Sequence, residues 1–203
     1  MNVMIDVSLT DFVDFLSRTG SAKVSKVKEI KSRGKYNPTH DFWRILREGI
    51  VDHGRNSKSS KLDMNELMSK VVSASKIDLF PSRIEGYNKF RNKKNVKWFE
   101  PPNSIWKNAG VSIRVNPELG FIIDGKLNVI KLYFKKEPLS KTKVDLTRSL
   151  MFDSLQIKDS QDVSFGVLDV QQGRLFKTPQ SDSALLPLLK GEANSLEAIW
   201  NDI

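Results

Sequence analysis

Apolar residues recur at intervals of three and four through the first half of the chain, and past Trp98 they begin to alternate or run together. Leu9, Phe12, Val13 and Leu16 share one helical face, with Ser8 or Thr10 placed as N-cap and Gly20 as a stop. The tract from Ser21 to Tyr36 sets Val24, Val27 and Ile30 among lysines, which predicts a helix with a narrow apolar stripe or an arm that orders on binding. Asn37-Pro38 ends it. Thr39 is the expected N-cap of a second helix, with Asp41 in its first turn and Phe42, Ile45, Leu46 and Ile50 on one face. Asp63 is expected to cap a third helix striped by Met64, Leu67, Met68 and Val71. Pro81 suits the first position of a fourth helix that carries Ile84, Tyr87 and Phe90 and ends in a basic turn at Lys93 and Lys94.

The second half reads differently. Three β-branched and aromatic runs, from Val111, Leu119 and Leu127, are separated by Asn116-Pro117 and by Asp124-Gly125, the strongest hairpin signal in the chain. Pro138, Ser140 as N-cap, and a staple of Leu139 on Val144 then predict a helix to about Leu155. Two more strands, from Val163 and from Arg174, are expected to pair across Gln171, Gln172 and Gly173. A last helix carries Leu189, Ala193, Leu196 and Trp200 on one face. The order predicts an α+β protein with a mixed sheet of about four or five strands and helices packed on it. A basic helical region over residues 1–95 precedes an α+β core over 96–203, the two forming one cooperative unit.

Composition removes several chemistries. With no cysteine there is no disulfide framework, no thiolate metal site and no thiol nucleophile. His40 and His53 are the only histidines, so a three-histidine metal site is impossible, while a hard-cation site of carboxylates stays open. No apolar run approaches the roughly 18 residues that span a bilayer, and the acidic opening segment is unlike a secretory signal, so a cytoplasmic protein without a membrane partner is expected. P-loop, GxGxxG, GxSxG and HExxH motifs are absent. The net charge is +9, and twelve basic residues against four acidic ones between Arg18 and Lys61 account for most of it. Such a block favours a polyanionic partner, nucleic acid first.

The candidate chemistry lies in Asn116 to Lys143. Strand alternation puts Val129, Lys131, Tyr133 and Lys135 on one face and Ile130, Leu132 and Phe134 on the other. If the first face is covered, Lys131 needs a carboxylate partner to offset its desolvation. If it is open, Lys131, Lys135, Lys136, Lys141 and Lys143 form a basic patch beside Tyr133 that can contact phosphates and stack a base, and Arg44 and Arg47 join the cations that face solvent. A solvated lysine face that blocks edge pairing is the plainer alternative. Trp43, Trp98 and Trp106 lie near basic residues, yet core packing explains indoles better than stacking platforms do.

The α-β-β-β-α-β order, with Pro117-Glu118 ahead of one strand and Lys131 on the next, resembles the PD-(D/E)XK nuclease superfamily over about residues 111–170. The resemblance implies a restriction-endonuclease-like core in which acids at the start of the second strand and on the third hold Mg²⁺, and a lysine two residues after the second acid handles the attacking water. On this chain Glu118 stands for the first acid and Lys131 for the lysine, while the second acid falls on apolar Val129. Glu48 or Asp169 is left to supply a migrated ligand. Asp124 reads as a turn residue. Separately, the stretch from Asn116 to Lys141, with Thr39 to Val51 upstream, resembles a family of uncharacterised bacterial proteins, which implies one cooperative fold and no particular activity.

The expectation is therefore a nucleic-acid-associated protein with a degenerate or rearranged nuclease core. An interaction or regulatory protein with a solvated basic face is the first alternative. An active Mg²⁺-dependent nuclease is the second.

Overall fold

The change from helical to strand-like spacing at Trp98 is followed by the fold. A computed structural model describes residues 4–34, 37–38, 41–56, 61–71, 74–92, 94–155, 157, 163–178 and 184–203. The first half runs β1 (Ile5–Ser8), α1 (Leu9–Leu16), α2 (Ser21–Arg33), α3 (Arg44–Arg55), α4 (Met64–Met68) and α5 (Ala74–Arg91). Strands β2 (Val96–Trp98), β3 (Ser104–Asn108), β4 (Val111–Val115), β5 (Leu119–Ile123) and β6 (Lys126–Tyr133) follow. Helix α6 (Lys141–Ser154), strands β7 (Val163–Asp169) and β8 (Arg174–Thr178), and helix α7 (Leu185–Asp202) complete the chain.

The molecule is α+β, with two mixed sheets and helices packed on them. A five-stranded sheet has the order β2-β5-β6-β7-β8, and a three-stranded sheet the order β1-β4-β3. In the larger sheet only β6 and β7 are parallel, joined by α6 as the crossover helix. The three consecutive strands expected from Val111 onward do not form one meander. β4 leaves for the smaller sheet, where β1 pairs with it in parallel, and the short β2 takes the free edge of β5. Because β1 precedes residue 95 and β4 follows it, the helical and strand-rich halves share a sheet.

Both faces of β6 are buried, and they feed different cores. Ile130, Leu132 and Phe134 pack with Leu46, Phe80 and Tyr87, so α3, α4 and α5 cover that face. Val129 joins Leu146 and Leu150 of α6, the smaller sheet, and residues of α1, α2 and α7 on the other. Among the described residues no helix is long and apolar enough to cross a membrane.

Local chemistry explains most boundaries. The Ser8 hydroxyl accepts from the Asp11 N–H at 3.1 Å, and the Ser140 hydroxyl from the Lys143 N–H at 3.2 Å, capping α1 and α6. Asp124 and Gly125 take φ of 51° and 78°, the pair of positive values that a tight hairpin turn needs. Leu139 packs against the small cluster of Tyr133, Val144 and Val167, consistent with the expected staple.

Two helices start elsewhere than expected. Helix α3 begins at Arg44, and the Asp41 carboxylate accepts from the Trp43 N–H ahead of it; the expected cap Thr39 lies outside the described residues, as does Lys93. Pro81 sits inside α5 rather than at its start. Proline in a helix interior costs about 3 kcal/mol, while burying Phe80, Ile84 and Phe90 stabilises by about 1.5–3 kcal/mol each, so packing outweighs it.

Candidate functional site

The chain passes from the smaller sheet to the larger through Asn116, Pro117 and Glu118, and Lys131 grips this crossover from the neighbouring strand. Its ammonium donates to Glu118 Oε1 at 2.6 Å and to the Asn116 carbonyl at 3.0 Å. Glu118 Oε2 accepts from the Leu132 N–H at 2.8 Å, and the Glu118 N–H donates to the Ile130 carbonyl at 3.1 Å. Lysine and carboxylate side chains are each only 11% exposed, so the pair is shielded from screening by solvent. The face carrying Lys131 is therefore covered, and the lysine has the carboxylate partner that covering demands.

Beside the pair, a cavity of about 30 Å³ is lined by Asp14, Lys131, Tyr133, Lys143 and Thr147, room for one water at most. Asp14 comes from α1 and is buried. It accepts from Lys143 at 3.2 Å and from Lys135, and stands 4.0 Å from Lys26. Lys26 also meets Asp11 at 3.0 Å and Glu29 at 2.9 Å, and Arg33 meets Asp11 at 2.6 Å. Burial works to raise the Asp11 carboxyl, but bonds from Arg33, Lys26 and Ser8 outweigh it and hold the group below its ordinary value. Tyr133 donates from its hydroxyl to the Glu137 carbonyl at 2.8 Å. Burial first, then the negative charges of Glu137, Asp14 and Asp169, push its hydroxyl up to about 12.

The remaining predicted residues scatter. Glu48 is exposed on α3, bonded to Arg44 at 2.8 Å, on a helix that covers the face of β6 opposite to Lys131. Arg47 pairs with Asp41 at 2.8 Å. Asp169 is buried opposite Tyr133 in the β6–β7 register, where its carboxylate accepts from the Gln172 N–H at 2.9 Å and orders the hairpin turn. Lys141 pairs with Asp145 on its own helix, and Lys136 is exposed. Trp106 is a core residue whose indole N–H donates to Asp153 at 2.7 Å; Trp43 stacks on Phe80 and Phe134.

Asp14 is what sequence reasoning missed. It adjoins the apolar positions Phe12, Val13 and Leu16 of the predicted stripe, and one polar residue there carries no mark of being buried. A hidden acid becomes visible only when Lys135 and Lys143, more than a hundred residues away, are seen to converge on it.

This arrangement does not fit Mg²⁺. Both Glu118 oxygens already accept strong donors, and Val129, at the position of the second acid, is fully buried in the apolar core. Among the described residues no three acidic or histidine side chains gather as a metal site. A comparison with protein-family models finds none that matches the chain, and a comparison with curated proteins finds no match.

Proposed function

We propose that the chain is a nucleic-acid-associated protein whose restriction-endonuclease-like core has kept the acid and lysine of a nuclease hairpin as a structural pair and has lost metal-dependent cleavage. The observation that carries the reading is the contact between Glu118, just ahead of β5, and Lys131 on β6. The two positions that the resemblance singles out lie in contact, which supports the reading, while Val129 leaves one carboxylate where two are needed to hold Mg²⁺ for in-line attack. The net charge of +9 supports a polyanionic partner.

A reading as an interaction protein without nucleic acid has its own support. Several cations expected on the surface are engaged internally, Lys135 and Lys143 on Asp14 and Arg47 on Asp41. One experiment separates the readings. Fluorescence anisotropy with single- and double-stranded DNA and RNA, between about 20 and 200 mM salt, is expected to show binding that weakens steeply as salt rises. No binding at the lowest salt sinks the nucleic-acid reading. The same substrates incubated with Mg²⁺ or Mn²⁺ are expected to stay intact, and cleavage abolished by Lys131→Ala would restore the active nuclease.

A further inference from the structure

The face of the larger sheet away from Lys131 holds an open cleft of about 990 Å³ between the C-terminal half of α5 and the β7–β8 hairpin. Lys89 and Lys94 line it from α5 and the turn after it, Arg174 and Lys177 from β8, and the half-buried Leu175 gives it apolar surface. Four cations thus face two carboxylates, Glu85 and Asp124. Beneath them Arg91 is 3% exposed, its guanidinium 5.5 Å from the Phe121 ring, 3.5 Å from the Lys94 carbonyl and beside the Tyr87 hydroxyl. Its Nε has no hydrogen-bond partner, and among the described residues no carboxylate forms an ion pair with it.

The cleft therefore keeps a surplus of positive charge over the carboxylates of Glu85 and Asp124. The Lys94 ammonium bonds the Phe90 carbonyl and lies 4.5 Å from the Phe90 ring centre. Burial, then the charges of Arg91 and Lys177, hold it below its ordinary value. Lys89, Lys94, Arg174 and Lys177 are exposed around the cleft, where an anion seated among them relieves their repulsion. The recess is also set in advance. A Cβ on Gly86 would stand 2.1 Å from the Val170 carbonyl oxygen, and one on Gly173 2.3 Å from that of Gly86, so helix and hairpin touch backbone to backbone. Lys177 is aimed by a 2.9 Å bond to the buried Asn128 side chain.

We propose that this cleft binds a nucleoside phosphate, free or as a unit of a single nucleic-acid strand, with the phosphate on Lys89, Lys94, Arg174 and Lys177 and the base against Leu175. The volume is at the upper end of small-ligand pockets, roughly 300–1,000 Å³, and far exceeds what a lone phosphate fills. A base has the half-buried Leu175 side chain to pack on, and the amides of Gln171 and Gln172 at the rim offer donors and acceptors. The strand form rests on the nucleic-acid reading above; the free form does not.

Three probes test it: a labelled single-stranded oligonucleotide by anisotropy, and adenosine monophosphate and inorganic phosphate by calorimetry. Lys89→Glu/Arg174→Glu reverses two exposed charges, Lys94→Gln removes a third, and Lys136→Glu/Lys141→Glu serves as a control on the other face, each variant checked for fold by circular dichroism. The first variant is expected to weaken strand or nucleotide binding at least about tenfold and to lower the strand's salt slope by about 1 to 2. Lys94→Gln is expected to weaken it about fivefold, and the control to change it less than twofold. Strand binding reduced only by the control variant overturns the cleft and leaves the nucleic-acid reading standing. Nucleotide binding lost in Lys89→Glu/Arg174→Glu, with no strand bound by wild type, supports the cleft and sinks that reading. Binding of inorganic phosphate alone, or of no probe, overturns the proposal.

Discussion

Lys131 is a cation inside a sheet covered on both faces, and its stability rests on one carboxylate. Lys131→Met keeps the stem's packing but leaves Glu118 charged and buried beside the Leu132 N–H, so it is expected to cost about 3 kcal/mol. Glu118→Gln/Lys131→Met, which also removes that charge, is expected to recover more than half. Urea denaturation of the single and double variants measures both, and a double variant no more stable than the single one refutes the pair as the source. Asp11 carries the clearest dependence on pH. Its folded value lies below the unfolded one near 4, so its contribution is complete above about pH 4 and is lost as pH falls through the folded value. Thermal melts of wild type and Asp11→Asn are expected to diverge at pH 6 and to converge toward pH 3. Tyr133 gives the opposite sign. Its raised value, about 12, makes its contribution complete below the ordinary value near 10 and lost as pH rises through 12.

At the scale of elements, two helices each carry a glycine, alike in the sequence and different in space. Gly86 on α5 faces the Val170 carbonyl, and backbone cannot step aside, so Gly86→Ala is expected to destabilise by about 1–3 kcal/mol. Gly191 on α7 has nothing within 4 Å of the point where a Cβ would stand, so Gly191→Ala is expected to stabilise by about 0.5–1 kcal/mol through helix propensity alone. Chemical denaturation reads both, and equal signs would refute the packing account. The same contrast shows what was legible. The caps of α1, α4 and α6, the Asp-Gly hairpin and the alternation in β6 are local chemistry, and they appear where the spacing predicts. β1 and β2 have four and three residues, too short for periodicity to declare them, β3 sets Lys107 and Asn108 beside its apolar positions instead of running β-branched as β4 and β5 do, and the split of β4 from β5 is decided by pairing partners far along the chain. In the candidate site, strand alternation gave the face of Lys131 and its need for a carboxylate if that face is covered, whereas the acid that answers it, the acid of α1 and the cations of the α5 cleft are brought together by tertiary contacts.

For the whole molecule, Asp14 joins what the sequence divides. Through it α1 holds Lys143 of α6 and Lys135 at the end of β6, and Lys26 of α2 stands at the edge of the same cluster. Lys26 keeps Asp11 and Glu29 if Asp14 is removed, but Lys135 and Lys143 have no second carboxylate among the described contacts. Asp14→Ala therefore leaves two like charges facing each other over a buried gap. A fully buried pair broken this way costs about 3–5 kcal/mol; Lys135 is about a third exposed and able to turn to solvent, which lowers the expected loss to about 2 kcal/mol. Repulsion and attraction respond oppositely to ionic strength, which makes the cause separable from simple loss of packing. Raising salt from about 50 to 500 mM is expected to stabilise Asp14→Ala relative to wild type in urea denaturation, since ions reach the partly exposed Lys135, screen its repulsion from Lys143 and weaken the native pairs. Asp14→Asn, nearly the same shape without the charge, is expected to show the same salt response. A deficit that salt leaves unchanged would mean that α1 is held by Phe12 and Phe15 in the apolar core, with the lysines as bystanders.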